Sequence, residues 1–261
     1  MVRLLALDLD GTLLEKDHMH ISERTVKILR SAANRGIYVV PTSGRTLGLF
    51  PDVLRQLDCV RYAITANGAA VLDVQTGEPV FTSLMSVSQS AKLIRLFEET
   101  SWLSGEFYCA GHSYLTPKAQ KYLAGAFYPP FWEYIKTLHT QVDSLSFLEG
   151  SSLEKVGVNP VPEGRERELQ AKLKEIGPFE MVYTGPKNLE LNASGTSKAE
   201  GLRALCRFLG ILPEEVVAFG DSGNDVEMLR WAGTSFAMGN APEEVKAAAQ
   251  RVAPSNEEEG V

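Results

Sequence analysis

The chain is short of everything that would tie it to an oxidising compartment, a bilayer or a polyanion. Only three of its 261 residues are cysteines, Cys59, Cys109 and Cys206, widely spaced and with no Cys-x-x-Cys pair. That excludes a disulfide framework and fits buried thiols in a reducing compartment. Four histidines, His18, His20, His112 and His139, complete no zinc-type spacing with them. His18 and His20 lie two apart ahead of an expected helix and read as a solvated loop. No apolar run approaches the ~20 residues that span a bilayer, and no charged-then-apolar leader opens the chain. The expectation is a cytoplasmic protein with no membrane partner. Positive charge is scarce too: 26 Lys and Arg stand against 33 Asp and Glu, a net charge of -7. A nucleic-acid partner normally requires the basic surface that is missing here. A small anionic substrate is still compatible, because local donors and a metal outweigh the global sign. There is no internal repeat and no low-complexity segment.

What is present suffices for one large or two modest domains, with 44% hydrophobic residues. The stretch that organises the rest is Leu4 to Leu7 followed by Asp8-Leu9-Asp10-Gly11-Thr12. A short apolar run bounded by a turn signal suits a strand buried on both faces. Alternate residues of an extended chain point the same way, so Asp8 and Asp10 are expected on one side. Two carboxylates at a buried strand end repel and are poorly solvated. A cation between them is expected, and oxygen-ligated Mg²⁺ is the natural candidate.

Along the chain, Ser22 caps an expected helix to about Ala33, with Gly36 as its stop. Ile37 to Val40 is the next strand, ending in Pro41-Thr42-Ser43-Gly44-Arg45. Tyr62 to Thr65 follows, ending in Ala66-Asn67-Gly68. Strands that stop at small polar residues, with helical patterns between, indicate a parallel α/β sheet whose ligands sit beyond the strand C-termini. Val71–Val74 and Val80–Thr82 read as a hairpin. From about Ser83 most of the aromatics appear, including Trp102, Phe131 and Trp132, and read as the core of a domain. Helices are expected near 87–99, 117–125 and 163–176, and strands near 106–109, 113–116, 155–159 and 179–184. This is an inserted α+β domain, with Pro129-Pro130 and Gly185-Pro186 as loops. The α/β pattern resumes at Leu189-Glu190-Leu191. A helix from Ser197 to Leu209, a strand over Val216–Phe219, a helix over 226–232, a strand over 235–238 and a helix over 242–250 complete the core, with a short strand near Val252.

A second acidic cluster follows the Val216–Phe219 strand in Gly220-Asp221-Ser222-Gly223-Asn224-Asp225. Asp221 and Asp225 are four apart and share a face if the turn is helical. Four acids at two strand ends, repelling by ~1–4 kcal/mol per pair at ~4 Å, favour a metal site. Lys198 lies in Gly195-Thr196-Ser197-Lys198, just inside a helix, where alone it would read as a surface lysine. Ser43 and Gly44 form a turn of the kind that holds a phosphate oxygen.

Together these segments resemble the four motifs of the haloacid dehalogenase superfamily. Asn67-Gly68-Ala69 and Met238-Gly239-Asn240-Ala241 resemble its Cof-type phosphatases, the subgroup with a C2B cap. The resemblance implies a Rossmann-like parallel core over 1–83 and 188–261 and a cap domain over 84–187. It implies a Mg²⁺-dependent phosphatase acting on a small phosphorylated metabolite such as a sugar phosphate. Asp8 would be the nucleophile, and Asp10 the acid that protonates the leaving alkoxide and then the base for water. Ser43, Gly44 and Lys198 would hold the phosphoryl group, and Arg45, Asn67 and Asn224 would serve substrate binding or support it. The metal set would be Asp8, Asp221, Asp225 and Asp10, the last through its backbone carbonyl. Ser43 stands where many relatives have Thr, and Asn192 precedes the lysine loop in a place that bears on substrate contacts. A phosphomutase, and a phosphoacceptor module without turnover, are the alternatives; Asp10 beside Asp8 argues against the second. No motif specifies an oligomeric state.

Overall fold

The computed structural model describes residues 1–185 and 187–261; Pro186, part of the expected Gly185-Pro186 loop, lies outside the described residues. Contacts divide the chain into two compact units, the first made of Met1–Arg45, Phe50–Thr82 and Ser197–Val261, the second of Thr46–Leu49 and Ser83–Thr196. The elements of the first segment are β1 (Leu4–Leu7), α1 (Glu23–Asn34), β2 (Tyr38–Pro41), α2 (Asp52–Arg55), β3 (Tyr62–Thr65), β4 (Ala70–Asp73) and β5 (Pro79–Thr82). The middle of the chain holds α3 (Val87–Glu99), β6 (Gly105–Cys109), β7 (His112–Leu115), α4 (Pro117–Ala126), α5 (Pro129–Ile135) and β8 (Thr140–Gln141). It continues through β9 (Lys155–Val158), α6 (Glu166–Ile176), β10 (Phe179–Gly185) and β11 (Asn188–Ala193). The last part holds α7 (Lys198–Leu209), β12 (Val216–Gly220), α8 (Val226–Trp231), β13 (Thr234–Ala237), α9 (Glu243–Lys246) and β14 (Arg251–Val252).

In the first unit a parallel sheet runs β14-β13-β12-β1-β2. Its central strands β1 and β12 are continuous apolar runs, buried except for the half-buried Leu5 and Phe219. Leu4, Ala6, Val216 and Ala218 are buried with Leu202 and Leu205 of α7. Burial of one such leucine stabilises by ~1.5–3 kcal/mol. β1 and β12 are direct neighbours, Leu7 opposite Phe219, so the residues just past their ends emerge side by side. The helices start where the sequence offers caps: Ser22 accepts from the Thr25 N–H and Ser197 from the Glu200 N–H. Gly210, at φ +62°, ends α7 in the left-handed region that Gly adopts at no steric cost.

β3 lies parallel to the end of β2 through the Thr42–Ile64 bridge, with a second parallel bridge, Val39 to Val60, just ahead of it. Its ladder partner is β4, antiparallel, which pairs in turn with β5 as the expected hairpin. The tight Ala66–Gly68 turn leaves no crossover helix, and without one the chain can only return antiparallel. The helix expected over 242–250 is confined to Glu243–Lys246; the Gln250 N–H donates to Ser235 Oγ and the chain passes into β14.

The second unit is a six-stranded sheet, β10-β11-β9-β6-β7-β8, antiparallel except where β8 joins β7. One face carries Phe107, Val156, Val158, Leu189 and Leu191 against Leu93 and Phe97 of α3 and Leu169 and Leu173 of α6. β11 belongs to this sheet, with Leu191 opposite Val156, so Leu189–Leu191 does not open the return to the parallel core; that return begins at Ser197. Pro129-Pro130 is not a loop but the start of α5. Proline at the first helical positions loses no hydrogen bond and has the helical φ already set. Phe131 and Trp132 are buried on that helix, with Phe127 edge-on to Phe131 at 5.2 Å, as expected of domain core. Among the described residues no helix is long and apolar enough to cross a membrane. Cys109 and Cys206 are buried thiols, and Cys59 is partly exposed.

Candidate active site

β1 stops at Leu7, and the next residue, Asp8, is 4% exposed, its N–H donating to Phe219 O at 3.1 Å. The chain then winds through Leu9–Leu13 in a wide turn closed by Leu13 N to Asp8 O and Leu14 N to Leu9 O. Gly11 sits at φ +84° in that turn, and a Cβ there would collide with Asp221 Oδ2. Glycine is required on both counts. The turn therefore brings the first strand end against the second, and Thr12 Oγ1 donates to Asp221 Oδ1 at 3.1 Å.

Lys198, on the first turn of α7, is 1% exposed and not a surface residue. Its Nζ donates to Asp8 Oδ1 at 2.6 Å and to Asp225 Oδ1 at 2.7 Å. Asp225 is wholly buried, and its Oδ2 accepts the N–H groups of Asp221 and Ser222 at 3.1 and 3.0 Å. Both Asp225 oxygens are thus committed to shaping the loop and the lysine. Asp8, Asp221 and Asp225 each offer an oxygen within 4.8 Å of the others.

Asp10 does not join them. The wide turn swings its carboxylate away from Asp8 onto Arg45, whose Nε donates to Oδ2 at 2.8 Å and whose Nη2 donates to Oδ1. His18 Nδ1 lies 2.8 Å from the same Oδ1. The two carboxylates thus have different partners, Asp8 facing Lys198 and Asp10 facing Arg45, rather than the common side that strand alternation suggested. Strand alternation ended one residue too early for it, since β1 closes at Leu7.

Ser43 and Gly44 follow β2. Ser43 is buried, its N–H bound to Ile64 O and its Oγ accepting the Arg45 N–H at 3.1 Å. Asn67 sits at φ +58° in the next strand-end turn, its N–H on Ser43 O and its Oδ1 accepting from Asn224 Nδ2 at 3.1 Å. A Cβ on Gly68 would strike Ser197 O, so this turn is packed directly on the start of α7.

The electrostatics follow. Burial raises the Asp8 proton affinity well above the usual 3.8, and Asp225 and Asp221 add to it against the opposing pull of Lys198. Burial and Asp225 raise Asp221 as well. Burial works against the Lys198 charge, but Asp225 and Asp8 outweigh it and hold the ammonium firmly protonated. Burial pushes Asp10 upward too, yet the Arg45 charge and the His18 and Arg45 hydrogen bonds prevail and hold it well below the usual carboxylate range. Three clustered carboxylates with one ammonium leave a deficit of positive charge that a hard divalent cation with oxygen ligands fits. Asp8 and Asp221 are the carboxylates suited to hold it, with Asp225 behind them.

Sequence reasoning assigned no role to Asn240, whose Nδ2 donates to Gly11 O at 2.9 Å and approaches Asp221 Oδ2 at 3.5 Å. The Met238-Gly239-Asn240-Ala241 segment was its visible signal. Thr12 and His18 were also left without a role. Asn192, in the second unit, donates to Glu154 O at 2.9 Å.

A family profile described as haloacid dehalogenase-like hydrolase matches residues 5–261. The chain is 34% identical to the 5-amino-6-(5-phospho-D-ribitylamino)uracil phosphatase YbjI of Escherichia coli K12, over 100% of this chain and 93% of that one. It is 31% identical to the putative phosphatase YxeH of Bacillus subtilis 168, over 100% and 96%. Among solved structures, the HAD subclass IIB sugar phosphatase BT4131 superposes with a TM-score of 0.82 at 25% identity, covering 100% of this chain and 96% of that one.

Proposed function

The chain belongs to the haloacid dehalogenase-like hydrolases and is a Cof-type phosphatase of subclass IIB; on that premise we propose that it is a Mg²⁺-dependent phosphomonoesterase working through an aspartyl phosphate on Asp8. The observation that carries this reading is the buried Asp8 carboxylate, bridged by Lys198 to Asp225 and within 4.8 Å of Asp221. A carboxylate attacks an anionic ester only once charge is neutralised. Lys198 supplies one positive charge at the attacking oxygen, and Ser43 and Gly44 are the turn residues that receive the phosphoryl oxygens. A Mg²⁺ held by Asp8, Asp221 and the Asp10 carbonyl, with Asp225 supporting, would neutralise the phosphate and orient it.

In the first half-reaction an Asp8 oxygen bonds to phosphorus as the ester P–O bond breaks, and the Asp10 proton goes to the leaving oxygen. In the second, Asp10 takes a proton from water as its oxygen bonds to phosphorus and the Asp8–phosphorus bond breaks, giving inorganic phosphate. The contacts from Arg45 and His18 favour an ionised Asp10, the form the second half needs. An incoming ester that takes up Arg45 leaves Asp10 with one cation fewer, and its proton affinity rises toward that needed for the first. Asn67, steadied by Asn224, is a second substrate contact. The second unit is the cap that supplies substrate selection.

The substrate is a small phosphorylated metabolite; the relatives' names make 5-amino-6-(5-phospho-D-ribitylamino)uracil and sugar phosphates the compounds to try. The test is phosphate release from such a panel, with Mg²⁺ and with chelator, for wild type and Asp8→Asn. Metal-dependent release by wild type alone supports the reading. Transfer of the phosphoryl group back to a sugar without net release supports a mutase instead. A stable phosphoprotein without turnover supports a phosphoacceptor module.

A further inference from the structure

The turn that follows the first motif ends in a residue whose place the phosphatase reading leaves unexplained. Leu14 to His20 forms a compact loop in which Asp17 Oδ1 accepts the N–H groups of Met19 and His20 at 2.9 and 3.0 Å. Glu15 and His20 pair through Glu15 N to His20 O at 2.9 Å, and His18 N donates to Glu15 O at 2.9 Å. This geometry drives His18 to φ +62°, which costs a non-glycine residue ~1–2 kcal/mol. Such strain persists only where surrounding contacts over-determine it. One set of those contacts leads to Asp10. His18 Nδ1 reaches Asp10 Oδ1 at 2.8 Å. Arg45, 8% exposed, places Nε on Asp10 Oδ2 at 2.8 Å and Nη2 on both Asp10 Oδ1 and the His18 backbone carbonyl, the latter at 3.2 Å. One guanidinium edge thus locks the histidine loop and the carboxylate to each other. An ionised carboxylate only accepts, so the His18 Nδ1 carries the hydrogen in this bond.

We propose that His18 is a positioning residue that, with Arg45, orients the Asp10 carboxylate for the water attack that releases phosphate from Asp8. The inference rests on the aspartyl-phosphate reading and goes beyond it by separating the two half-reactions. With a good aryl leaving group, formation of the phosphoenzyme needs no proton from Asp10. Its hydrolysis does need Asp10: the proton of water passes to that carboxylate as oxygen bonds to phosphorus and the bond to Asp8 breaks. General-base catalysis contributes ~10²–10⁴-fold, and a loosened base forfeits part of it.

Two variants separate the hydrogen bond from the backbone. His18→Gly removes the donor and relaxes the positive φ; His18→Asn keeps an N–H donor and tolerates that φ. Rapid acid quench with an aryl phosphate and Mg²⁺ gives both the rate of phosphoenzyme formation and its steady-state fraction. The expected result is that His18→Gly slows phosphate release ~10-fold while formation slows far less, so phosphoenzyme accumulates, and that His18→Asn restores most of the rate. Equal slowing of both steps, wild-type behaviour in His18→Gly, or no rescue by Asn overturns the proposal. If His18→Gly melts early, the His18→Asn comparison with wild type decides: accumulation with Asn in place overturns it. Wild type that neither releases phosphate nor forms a phosphoenzyme from any ester defeats the phosphatase reading itself, which is distinguishable because it does not depend on residue 18.

Discussion

Replacing Lys198 by Met removes a buried ammonium while keeping most of its stem in place. Asp8 Oδ1 and Asp225 Oδ1 then lose their donor at 2.6 and 2.7 Å, and three carboxylates within 4.8 Å face one another with no cation among them. Removing one partner of a buried pair costs ~3–5 kcal/mol, because the other charge stays buried and unpaired. For a unit of this size, ~3 °C per kcal/mol makes a fall of about 10–15 °C in the melting of the first unit. The pH dependence has a definite sign. Asp8 binds its proton more tightly folded than at the ordinary 3.8, so the folded state holds more protons above about pH 4 and stability falls as pH rises through that window. Loss of Lys198, which opposes this shift, widens the window. The deficit of the variant is therefore larger at about pH 8 than at about pH 5. Excess Mg²⁺ restores part of it, since a ligand at ~100 times its Kd stabilises by ~2.7 kcal/mol. The assay is thermal melting in chelator and in Mg²⁺ at both pH values, with Trp102→Phe and Trp132→Phe as background so that Trp231 reports the first unit. A Lys198→Met protein melting within about 2 °C of its parent at about pH 8 in chelator refutes the reasoning, because it would mean the lysine is not compensating buried charge.

Asp8→Asn should lower phosphate release by more than ~10³-fold while the protein still melts cooperatively, because the carboxylate is the attacking group and its burial favours an uncharged side chain; appreciable metal-dependent turnover in this variant contradicts the role given to Asp8. Gly11→Ala, at φ +84° with a Cβ that meets Asp221 Oδ2, should weaken Mg²⁺ binding by ~10-fold or more, read from the Mg²⁺ concentration dependence of melting. In the wild type, the stabilisation by Mg²⁺ should grow between about pH 5 and about pH 8, because the raised proton affinities of Asp8 and Asp221 make metal and protons compete; an increment that shrinks over that range contradicts the assignment of those carboxylates to the metal.

Much of the fold was legible because strands buried on both faces leave continuous apolar runs. Leu4–Leu7 and Val216–Gly220 appear almost to the residue, and their neighbouring ends place Asp8 and Asp221 together. The cap at Ser22 was equally visible, being a side-chain oxygen just ahead of apolar periodicity, and the start of α7 was legible to within a residue, at Ser197. What escaped was set by tertiary pairing. Leu189–Leu191 has the same texture as a core strand, and only its partners, β9 and β10, assign it to the second sheet. Pro129-Pro130 carries opposite meanings as a breaker and as a helix start, and the apolar residues Phe131, Trp132 and Ile135 behind it decide for the latter. In the site, spacing revealed the acids but not their pairing. Asp10 looked like a partner of Asp8 by alternation, whereas a left-handed glycine one residue later sends it to Arg45. His18 lies eight residues along a loop with no periodicity, so nothing short of the folded turn could aim it at Asp10.

The central claim is that phosphate leaves its ester by two successive displacements with Asp8 in between. The most direct test is the stereochemical course at phosphorus, using a thiophosphate monoester made chiral by sulfur and two oxygen isotopes and hydrolysed with Mg²⁺ in water carrying the third. Each in-line displacement inverts configuration, so two in succession predict net retention in the released thiophosphate. Net inversion would mean that water attacks the ester directly, and Asp8 would then be a metal ligand and not a nucleophile.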